Sequence, residues 1–221
     1  MSVILFDFDG TIADSIDVAV TIINRLAEDF GYKRLDLDEI RRLQNLSSRE
    51  IIKQSEVSIF ALPFLVRRFR AELNREIESL QLIPGMREAL LTLRQQGDRL
   101  GIVSSNSEEN VRVFLNAQGL ESIFDWVASS PKIFGKSRVI KRLIRQNRLD
   151  PQTVFYVGDE TRDIEAAKKS RARSIAVSWG FNSRQVLATH EPDFLIQHPK
   201  EFAAIVHRDT EPKVFPVIHN S

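Results

Sequence analysis

The sequence predicts an α/β fold in which a doubly wound parallel sheet, a Rossmann-like core, carries an inserted helical cap domain. Short apolar runs that are rich in strand-forming residues recur along the chain, and all are too short to be helices. From about residue 98 onward these runs alternate with amphipathic helical patterns, as expected for a parallel sheet with helices on both faces. The first run is separated from the second by about ninety residues that contain only helical patterns. This long helical stretch is the predicted cap.

The predicted strands are five buried apolar runs. The first, Val3-Ile4-Leu5-Phe6, leads into the turn signal Asp9-Gly10-Thr11. The other four are residues 100–103, 126–128, 154–157 and 174–177. Between these runs, apolar residues spaced by three and four predict helices, as in the series Val111, Phe114, Leu115 and the series Val139, Ile140, Leu143, Ile144.

The predicted domain boundaries follow from where the strand pattern is interrupted. Val18, Ile22 and Leu26 lie on one face of a first cap helix. A second, longer helix is predicted from the apolar series Leu62, Leu65, Val66, Phe69, Leu73, Ile77 and Leu80. Pro84-Gly85 then marks the return to the core. We therefore predict a core of residues 1–13 and 84–205, a cap of residues 14–83 and a C-terminal tail of residues 206–221 that follows neither period.

The composition is that of a globular protein and disfavours some classes of binding partner. Its 221 residues, 43% hydrophobic and 28% charged, suffice for one core domain with an insertion. The formal charge of +1 disfavours nucleic-acid binding. Without cysteine there is no disulfide or cysteine nucleophile, and nothing requires an oxidising compartment. No apolar run approaches the ~20 residues that span a bilayer. We expect a cytoplasmic protein that binds neither nucleic acid nor membranes, as a monomer or a homodimer.

Acidic residues follow two of the predicted strands. Asp7 and Asp9 are two apart at the end of the first strand, so their side chains share a face. Asp159 and Asp163 follow the run 154–157, just before a helical pattern. Each group alone also fits a simpler structure, a solvated Asp-Gly turn or an acidic helix N-terminus. Together, at the carboxyl ends of parallel strands, they predict an oxygen-rich site suited to magnesium rather than zinc.

Two further segments are candidates for binding an anion. Ser104, Ser105 and Asn106 end the run 100–103 and precede a helix that begins near Ser107. Such residues are common helix caps, but hydroxyl and free backbone N–H groups at a helix start also bind phosphate. Lys136 begins another predicted helix after another short strand. A single lysine is usually a solvated surface residue, so this segment alone is a weak signal.

The order of these segments resembles the haloacid dehalogenase superfamily. Asp7-Phe8-Asp9-Gly10-Thr11 looks like its first motif, Ser104 its second, Lys136 its third and Gly158-Asp159 through Asp163 its fourth. Residues 1 to about 200 follow the layout of that family, including a helical cap after the first motif. The series from Val157 to Ala167 is similar to the phosphoglycolate phosphatase-like group. In the third motif, Ser137-Arg138-Val139 departs from the prolines that often follow the lysine in relatives.

The resemblance implies a magnesium-dependent phosphatase that acts on a small phosphorylated metabolite, such as phosphoglycolate. Asp7 would be the nucleophile and form an aspartyl phosphate, and Asp9 would act as general acid and then as general base. Mg²⁺ would be held by Asp7, the backbone carbonyl of Asp9 and Asp159, with Asp163 orienting the ligands.

The same resemblance assigns the phosphate-binding residues and leaves alternatives open. Ser104 and Lys136 would balance the phosphoryl oxygens, with Ser105 as the alternative serine and Asn106 beside it. A sugar-phosphate mutase uses the same residues, and a catalytically inactive binding protein can share the fold. A haloacid dehalogenase in the strict sense is disfavoured, because relatives with that activity lack the second aspartate that Asp9 provides.

A cap segment supplies the candidate for substrate specificity. Asn45-Leu46-Ser47-Ser48-Arg49 lies in the insertion that leaves the first strand after Thr11, so part of the cap hangs over Asp7. Ser47 or Ser48 can cap the following helix, which places Arg49 in its first turn. A cation there is unfavourable for the helix dipole. Arg49 is therefore predicted to bind a carboxylate of the substrate, whereas the simpler alternative for any one arginine is a solvated helix face.

Overall fold

The computed structural model describes residues 1–55, 57–58, 60–130 and 132–207. The strands, in chain order, are β1 (Val3–Phe6), β2 (Ala13–Asp14), β3 (Gln81–Leu82), β4 (Arg99–Ser104), β5 (Phe124–Ser129), β6 (Val154–Gly158), β7 (Arg173–Val177) and β8 (Phe194–Ile196). Six of them form one sheet in the order β5-β4-β1-β6-β7-β8. Every pairing in that sheet is parallel. The predicted α/β fold with a doubly wound parallel sheet is confirmed.

The helices alternate with these strands in the core and follow one another in the insertion. They are α1 (Ile16–Phe30), α2 (Leu37–Gln44), α3 (Ser48–Gln54), α4 (Leu62–Glu76), α5 (Met86–Gln95), α6 (Glu108–Ala117), α7 (Lys136–Gln146), α8 (Thr161–Ser170), α9 (Arg184–Thr189) and α10 (Phe202–Val206). Short 3₁₀ turns lie at Glu121–Ile123, Pro151–Thr153 and Pro199–Glu201. No helix in the described ranges has both the length and the apolar character to cross a membrane.

The two faces of the sheet bury two separate apolar cores. Ile4 and Phe6 of β1 belong to a cluster that includes Leu90 of α5 and Phe114 of α6. The alternate residues Val3 and Leu5 belong to a second cluster that packs against α7 and α8 through Ile140, Leu143, Ile144, Ala166 and Ala167. Successive side chains of a strand point to opposite faces, so a continuously apolar β1 requires helices on both sides.

The insertion after β1 is helical, as predicted, and is flanked by a two-stranded ladder. β2 pairs antiparallel with β3, so the two ends of the insertion lie side by side. Between them α1 and α4 pack through a cluster of Ile22, Leu26, Leu65 and Leu73. The boundaries 14–83 and 84–205 stay predictions. α10 extends to Val206, the first residue of the predicted tail, and residues 208–221 of that tail lie outside the described residues.

The structure corrects three details of the predicted elements. The long cap helix ends at Glu76, and Ile77 and Leu80 of the predicted apolar face pack into the core cluster beside Ile4 instead. The insertion is not free of strands, because β2 and β3 frame it. The sheet also has a sixth strand, β8, which is only three residues long. A strand or ladder of two or three residues is too short to show a period of two.

Candidate active site

The predicted site residues meet at the carboxyl edge of the sheet. Asp7 follows β1 directly, and its backbone N–H donates to the carbonyl of Val157 in β6 at 2.8 Å. Ser104 is the last residue of β4. Because β1 lies between β4 and β6, residues that follow these strands are brought together. Asp159 follows β6, Asp163 lies in the first turn of α8 and Lys136 is the first residue of α7.

Three buried carboxylates form a cluster that is bridged by a buried lysine. Asp7, Asp159 and Asp163 each offer a carboxylate oxygen within 4.8 Å of the others. The Nζ atom of Lys136 donates to Oδ2 of Asp7 at 2.5 Å and to Oδ1 of Asp163 at 2.7 Å. Lys136 is only 2% exposed, so it is not the solvated surface lysine that a single lysine usually is. A buried ammonium is tolerated only when it is paired in this way.

The pKa values of the cluster show that one lysine does not neutralise it. Burial, together with the negative charges of Glu160 and Asp7, raises the pKa of Asp159 well above its usual range. Burial raises the pKa of Asp163 to about 6 against the opposing effect of Lys136. Burial alone would lower the pKa of Lys136, but the Asp163 and Asp7 carboxylates outweigh it and raise that pKa. An uncompensated group of carboxylate oxygens fits a hard divalent cation.

The surroundings of Asp159 hold its carboxylate in one place. Thr11 Oγ1 donates to Oδ1 of Asp159 at 2.7 Å, and the backbone N–H of Phe181 donates to Oδ2 at 2.8 Å. A Cβ atom on Gly10 would lie 2.5 Å from Oδ2 of Asp159, and one on Gly180 would lie 2.1 Å from its Cβ. Gly10 also has a positive φ of 71°. The backbone at Gly10 and Gly180 therefore lies so close to the Asp159 carboxylate that no larger side chain fits at either position.

Asp9 lies beside the cluster and is hydrogen-bonded to Asn106. The Nδ2 atom of Asn106 donates to the two carboxylate oxygens of Asp9 at 3.4 and 3.3 Å. Burial and the neighbouring Asp7 raise the pKa of Asp9 to about 7, although the Asn106 contact opposes the shift. A carboxyl group that titrates near neutral pH can both donate and accept a proton. The predicted role of Asp9 as acid and base matches this environment but stays a prediction.

The predicted phosphate-binding segment adopts the expected strand-to-helix turn. Ser104 and Asn106 are buried and Ser105 is partly buried. Ser104 Oγ accepts from the backbone N–H of Asn106 at 3.0 Å. Ser107 caps α6 by accepting from the backbone N–H of Asn110 at 3.2 Å. Which of the two serines contacts a phosphate stays a prediction.

Sequence reasoning missed a charged pair beside the cluster. Arg162 donates to the carboxylate of Glu160 and to the carbonyl of Ile133, the latter at 3.4 Å. Burial alone would lower the pKa of Arg162, but Glu160 and Asp163 raise it. Glu160 and Arg162 lie in the acidic segment after β6. Two charged residues so close to a buried strand were the sequence feature that could have indicated a role in the site.

The cap touches the core through residues 44–49, here called the cap loop, which run from the last residue of α2 to the first turn of α3. The backbone N–H of Ser48 donates to Thr161 Oγ1 at 3.0 Å. Asn182, which is 1% exposed, donates to the carbonyls of Gln44 and Leu46 at 3.2 and 2.9 Å. The cap loop is thus hydrogen-bonded to the start of α8, next to the carboxylate cluster. Asn182 was missed because a single asparagine in a loop carries no periodic signal.

Arg49 binds a carboxylate of the protein in this structure. As predicted, Ser47 caps α3, and Arg49 lies in its first turn. Its Nε and Nη2 atoms donate to the two carboxylate oxygens of Glu165 at 3.0 and 2.8 Å, and the guanidinium lies 4.8 Å from the ring centre of Phe134. The contact with Arg49 lowers the pKa of Glu165 to about 2. The guanidinium that was predicted to bind a substrate carboxylate is therefore already paired with Glu165. Substrate binding by Arg49 stays a prediction.

A parallel sheet with a cluster of carboxylates at the carboxyl ends of its strands is typical of α/β enzymes that carry their active sites at that edge. The family model described as "Haloacid dehalogenase-like hydrolase" matches residues 4–177. The chain therefore belongs to the haloacid dehalogenase-like hydrolases, as its motifs predicted.

Individual relatives agree with this assignment. The chain is 40% identical over 206 residues to a phosphoglycolate phosphatase of Synechococcus elongatus, a match that covers 93% of this chain and 97% of the relative. It is 24% identical over 219 residues to a phosphoglycolate phosphatase of Aliivibrio fischeri, covering 93% and 96%. A haloacid dehalogenase-like hydrolase from Streptococcus pneumoniae shares the fold with a TM-score of 0.77 at 22% identity, covering 93% and 98%.

Proposed function

We propose that this chain is a magnesium-dependent phosphatase that hydrolyses a small phosphate monoester through a phosphorylated Asp7. The observation that carries the proposal is the bridge of Lys136 between Asp7 and Asp163 inside the buried carboxylate cluster. The Lys136 ammonium donates to Oδ2 of Asp7 at 2.5 Å, and this bond fixes the direction of the Asp7 carboxylate. A charged carboxylate with a fixed direction is what nucleophilic attack on phosphorus requires.

The proposed reaction has two steps. An oxygen of Asp7 attacks phosphorus while the bond to the leaving oxygen breaks, and Asp9 gives its proton to that oxygen. The now ionised Asp9 then takes a proton from water, whose oxygen attacks phosphorus and releases Asp7. The proton of Asp9 is thereby restored. General acid–base catalysis of this kind contributes typically 10²- to 10⁴-fold.

The remaining residues neutralise the charge of the phosphate. Asp7, Asp159 and the carbonyl of Asp9 are proposed to hold Mg²⁺, with Asp163 orienting the group. The ion, when bound, would stabilise negative charge on the phosphoryl oxygens. Lys136 would supply further positive charge, and Ser104, with Ser105 and Asn106 beside it, would supply hydrogen bonds.

The proposed substrate class is a small phosphorylated metabolite that carries a carboxylate. The support is the identity of 40% to a phosphoglycolate phosphatase over 93% of this chain. The cap loop is hydrogen-bonded to Glu160 and Thr161, which directly follow Asp159, so a cap residue is close enough to the site to influence which ester binds. We therefore propose phosphoglycolate as the first substrate to test. The cytoplasmic location and the oligomeric state stay predictions.

The test is phosphate release from a panel of phosphorylated metabolites. Purified protein is assayed with 2-phosphoglycolate, sugar phosphates and p-nitrophenyl phosphate, first in EDTA and then after Mg²⁺ is added back in excess. We expect hydrolysis only with Mg²⁺ and the highest kcat/KM with phosphoglycolate. Rearranged sugar phosphate without release of phosphate would indicate a mutase. Binding of phosphate esters without any turnover would indicate an inactive member of the family.

A further inference from the structure

A chain of carboxamides leads from the cap to Asp9. It begins with Asn106, whose orientation is fixed by its neighbours. The Oδ1 atom of Asn106 accepts from the backbone N–H of Ser107 at 2.9 Å and from Nδ2 of Asn110 at 2.8 Å. A carboxamide has its acceptor and its donors on different atoms. With Oδ1 engaged, the NH₂ group of Asn106 must face Asp9.

The next member, Asn110, joins the core to the cap. It lies on α6 and is only 5% exposed. Besides Asn106, its Nδ2 atom donates to Oδ1 of Asn74, which lies on α4 of the predicted cap. The two N–H bonds of Asn110 therefore serve two acceptors, one on each side of the interface. Neither contact belongs to the carboxylate cluster, and the family motifs do not include Asn74 or Asn110.

We propose that Asn110 and Asn74 are positioning residues that fix the direction of the Asp9 carboxyl group when Asn74 of α4 contacts Asn110 of α6. This proposal rests on the proposed function, in which Asp9 is the acid and the base. Asn74 orients the amide of Asn110, Asn110 orients that of Asn106, and Asn106 holds Asp9. Acid assistance to the leaving group then depends on the docking of the cap helix. Proton transfer is sensitive to such small changes of geometry.

The experiment compares substrates that differ in their need for an acid. Phosphoglycolate has a poor alkoxide leaving group, whereas the leaving group of p-nitrophenyl phosphate needs little assistance. We expect Asn110→Ala and Asn110→Asp to lower kcat/KM for phosphoglycolate by about 10-fold or more and that for p-nitrophenyl phosphate by about threefold or less. Asn110→Asp should be the more severe, because alanine only removes the donor, whereas a carboxylate also places an acceptor against Oδ1 of Asn106 and Oδ1 of Asn74. The matched control is Asn116→Ala, an exposed asparagine on the same helix.

Asn74→Ala tests the cap end of this series of carboxamides at an exposed position, where truncation of the side chain leaves no buried cavity. We expect the same substrate dependence at about 3- to 5-fold, and a double variant Asn74→Ala/Asn110→Ala no worse than Asn110→Ala alone, because Asn74 acts through Asn110. Equal losses on both substrates, additive effects, or behaviour like Asn116→Ala would overturn the proposal. A wild-type protein without phosphatase activity, or with activity that Asp9→Asn leaves intact, would instead refute the proposed function.

Discussion

The core side and the cap side of the site differ in how far they are removed from water. The charged side chains at the centre of the core site are each 2% exposed, namely Asp7, Lys136, Asp159 and Asp163. Across the interface, the Arg49 and Glu165 side chains are 57% and 24% exposed. Electrostatic interactions are strong in the first environment and weak in the second, where water and salt screen them.

This difference assigns separate tasks to the two regions. Breaking a buried ion pair costs about 3–5 kcal/mol, so the core cluster keeps one geometry. An exposed pair contributes only about 0–1 kcal/mol, so the cap can release its ion pairs without a large barrier. Large losses of rate are therefore expected from single core residues, whereas single cap residues should have only small effects.

The largest effect should come from Asp7→Asn. The amide is a poor nucleophile, so we expect kcat to fall on the order of 10³-fold or more on every substrate. The fold should persist, because the substitution reduces repulsion within the carboxylate cluster. Steady-state rates and thermal unfolding would be measured beside Asp14→Asn, an exposed aspartate of β2. Activity within tenfold of wild type in the Asp7 variant would remove Asp7 as nucleophile.

Lys136→Met should damage both activity and stability. Without the ammonium, Asp7 and Asp163 face each other uncompensated, and we expect unfolding in EDTA to require about 3–5 kcal/mol less. The rate should fall about 10²-fold, because a charged contact to the phosphate is lost. Mg²⁺ should restore part of the stability but not the rate. Lys141→Met, at an exposed position of the same helix, is the control in denaturant titrations. Equal stability of the two variants would contradict a buried, paired lysine.

Mg²⁺ should stabilise the protein more at high pH than at low pH. The pKa of Asp163 is raised from 3.8 to about 6, and that of Asp9 to about 7. Because the folded state holds these protons more tightly than the unfolded state, their contribution to stability is complete below about pH 4 and is lost as pH rises through about 6 to 7. A divalent cation favours the ionised form of every carboxylate around its site, so Mg²⁺ binding competes with these protons. The increase in Tm that Mg²⁺ produces should therefore grow between about pH 5 and pH 8, and an increase independent of pH would contradict this linkage.

The smallest effect is expected at the cap interface. If Arg49 serves mainly to bind Glu165, then Arg49→Ala and Glu165→Ala should have similar consequences. We expect stability losses of about 0–1 kcal/mol and KM increases for phosphoglycolate of about 2- to 3-fold in both variants. A much larger increase confined to Arg49→Ala, and absent with p-nitrophenyl phosphate, would instead support the substrate-carboxylate role that the sequence suggested.

Buried elements of the core could be predicted from the sequence more completely than the short strands and the contacts of the cap. The strands β1, β4, β6 and β7 are covered on both faces, so they appear as continuous apolar runs. The acidic residues that follow β1 and β6 were predictable because parallel strands place their carboxyl ends at one edge. A strand of three residues such as β8 has no readable period. The apolar residues Ile77 and Leu80 continued a helical spacing by chance, although they pack beside the sheet.

The contacts that asparagine side chains make with distant parts of the chain could not be predicted from the sequence. Asn182 contacts the cap loop across more than 130 positions, and Asn74 and Asn110 are separated by 36. A carboxamide in a loop or on a helix face looks like an ordinary solvated residue until the fold places its partners. Arg49 illustrates the reverse case, because its helix position was predictable whereas its partner Glu165, 116 residues away, was not.

Chemical trapping of Asp7 tests the central claim most directly. The Asp9→Asn variant should still be phosphorylated by p-nitrophenyl phosphate, since that leaving group needs little acid assistance, but should hydrolyse the intermediate slowly. Turnover with Mg²⁺ is quenched in acid, the acyl phosphate is reduced with borohydride, and peptides are analysed by mass spectrometry. We predict that Asp7 is converted to homoserine only when substrate and Mg²⁺ are both present. Burst release of p-nitrophenol with an unmodified Asp7, or reduction at another carboxylate, would contradict the account.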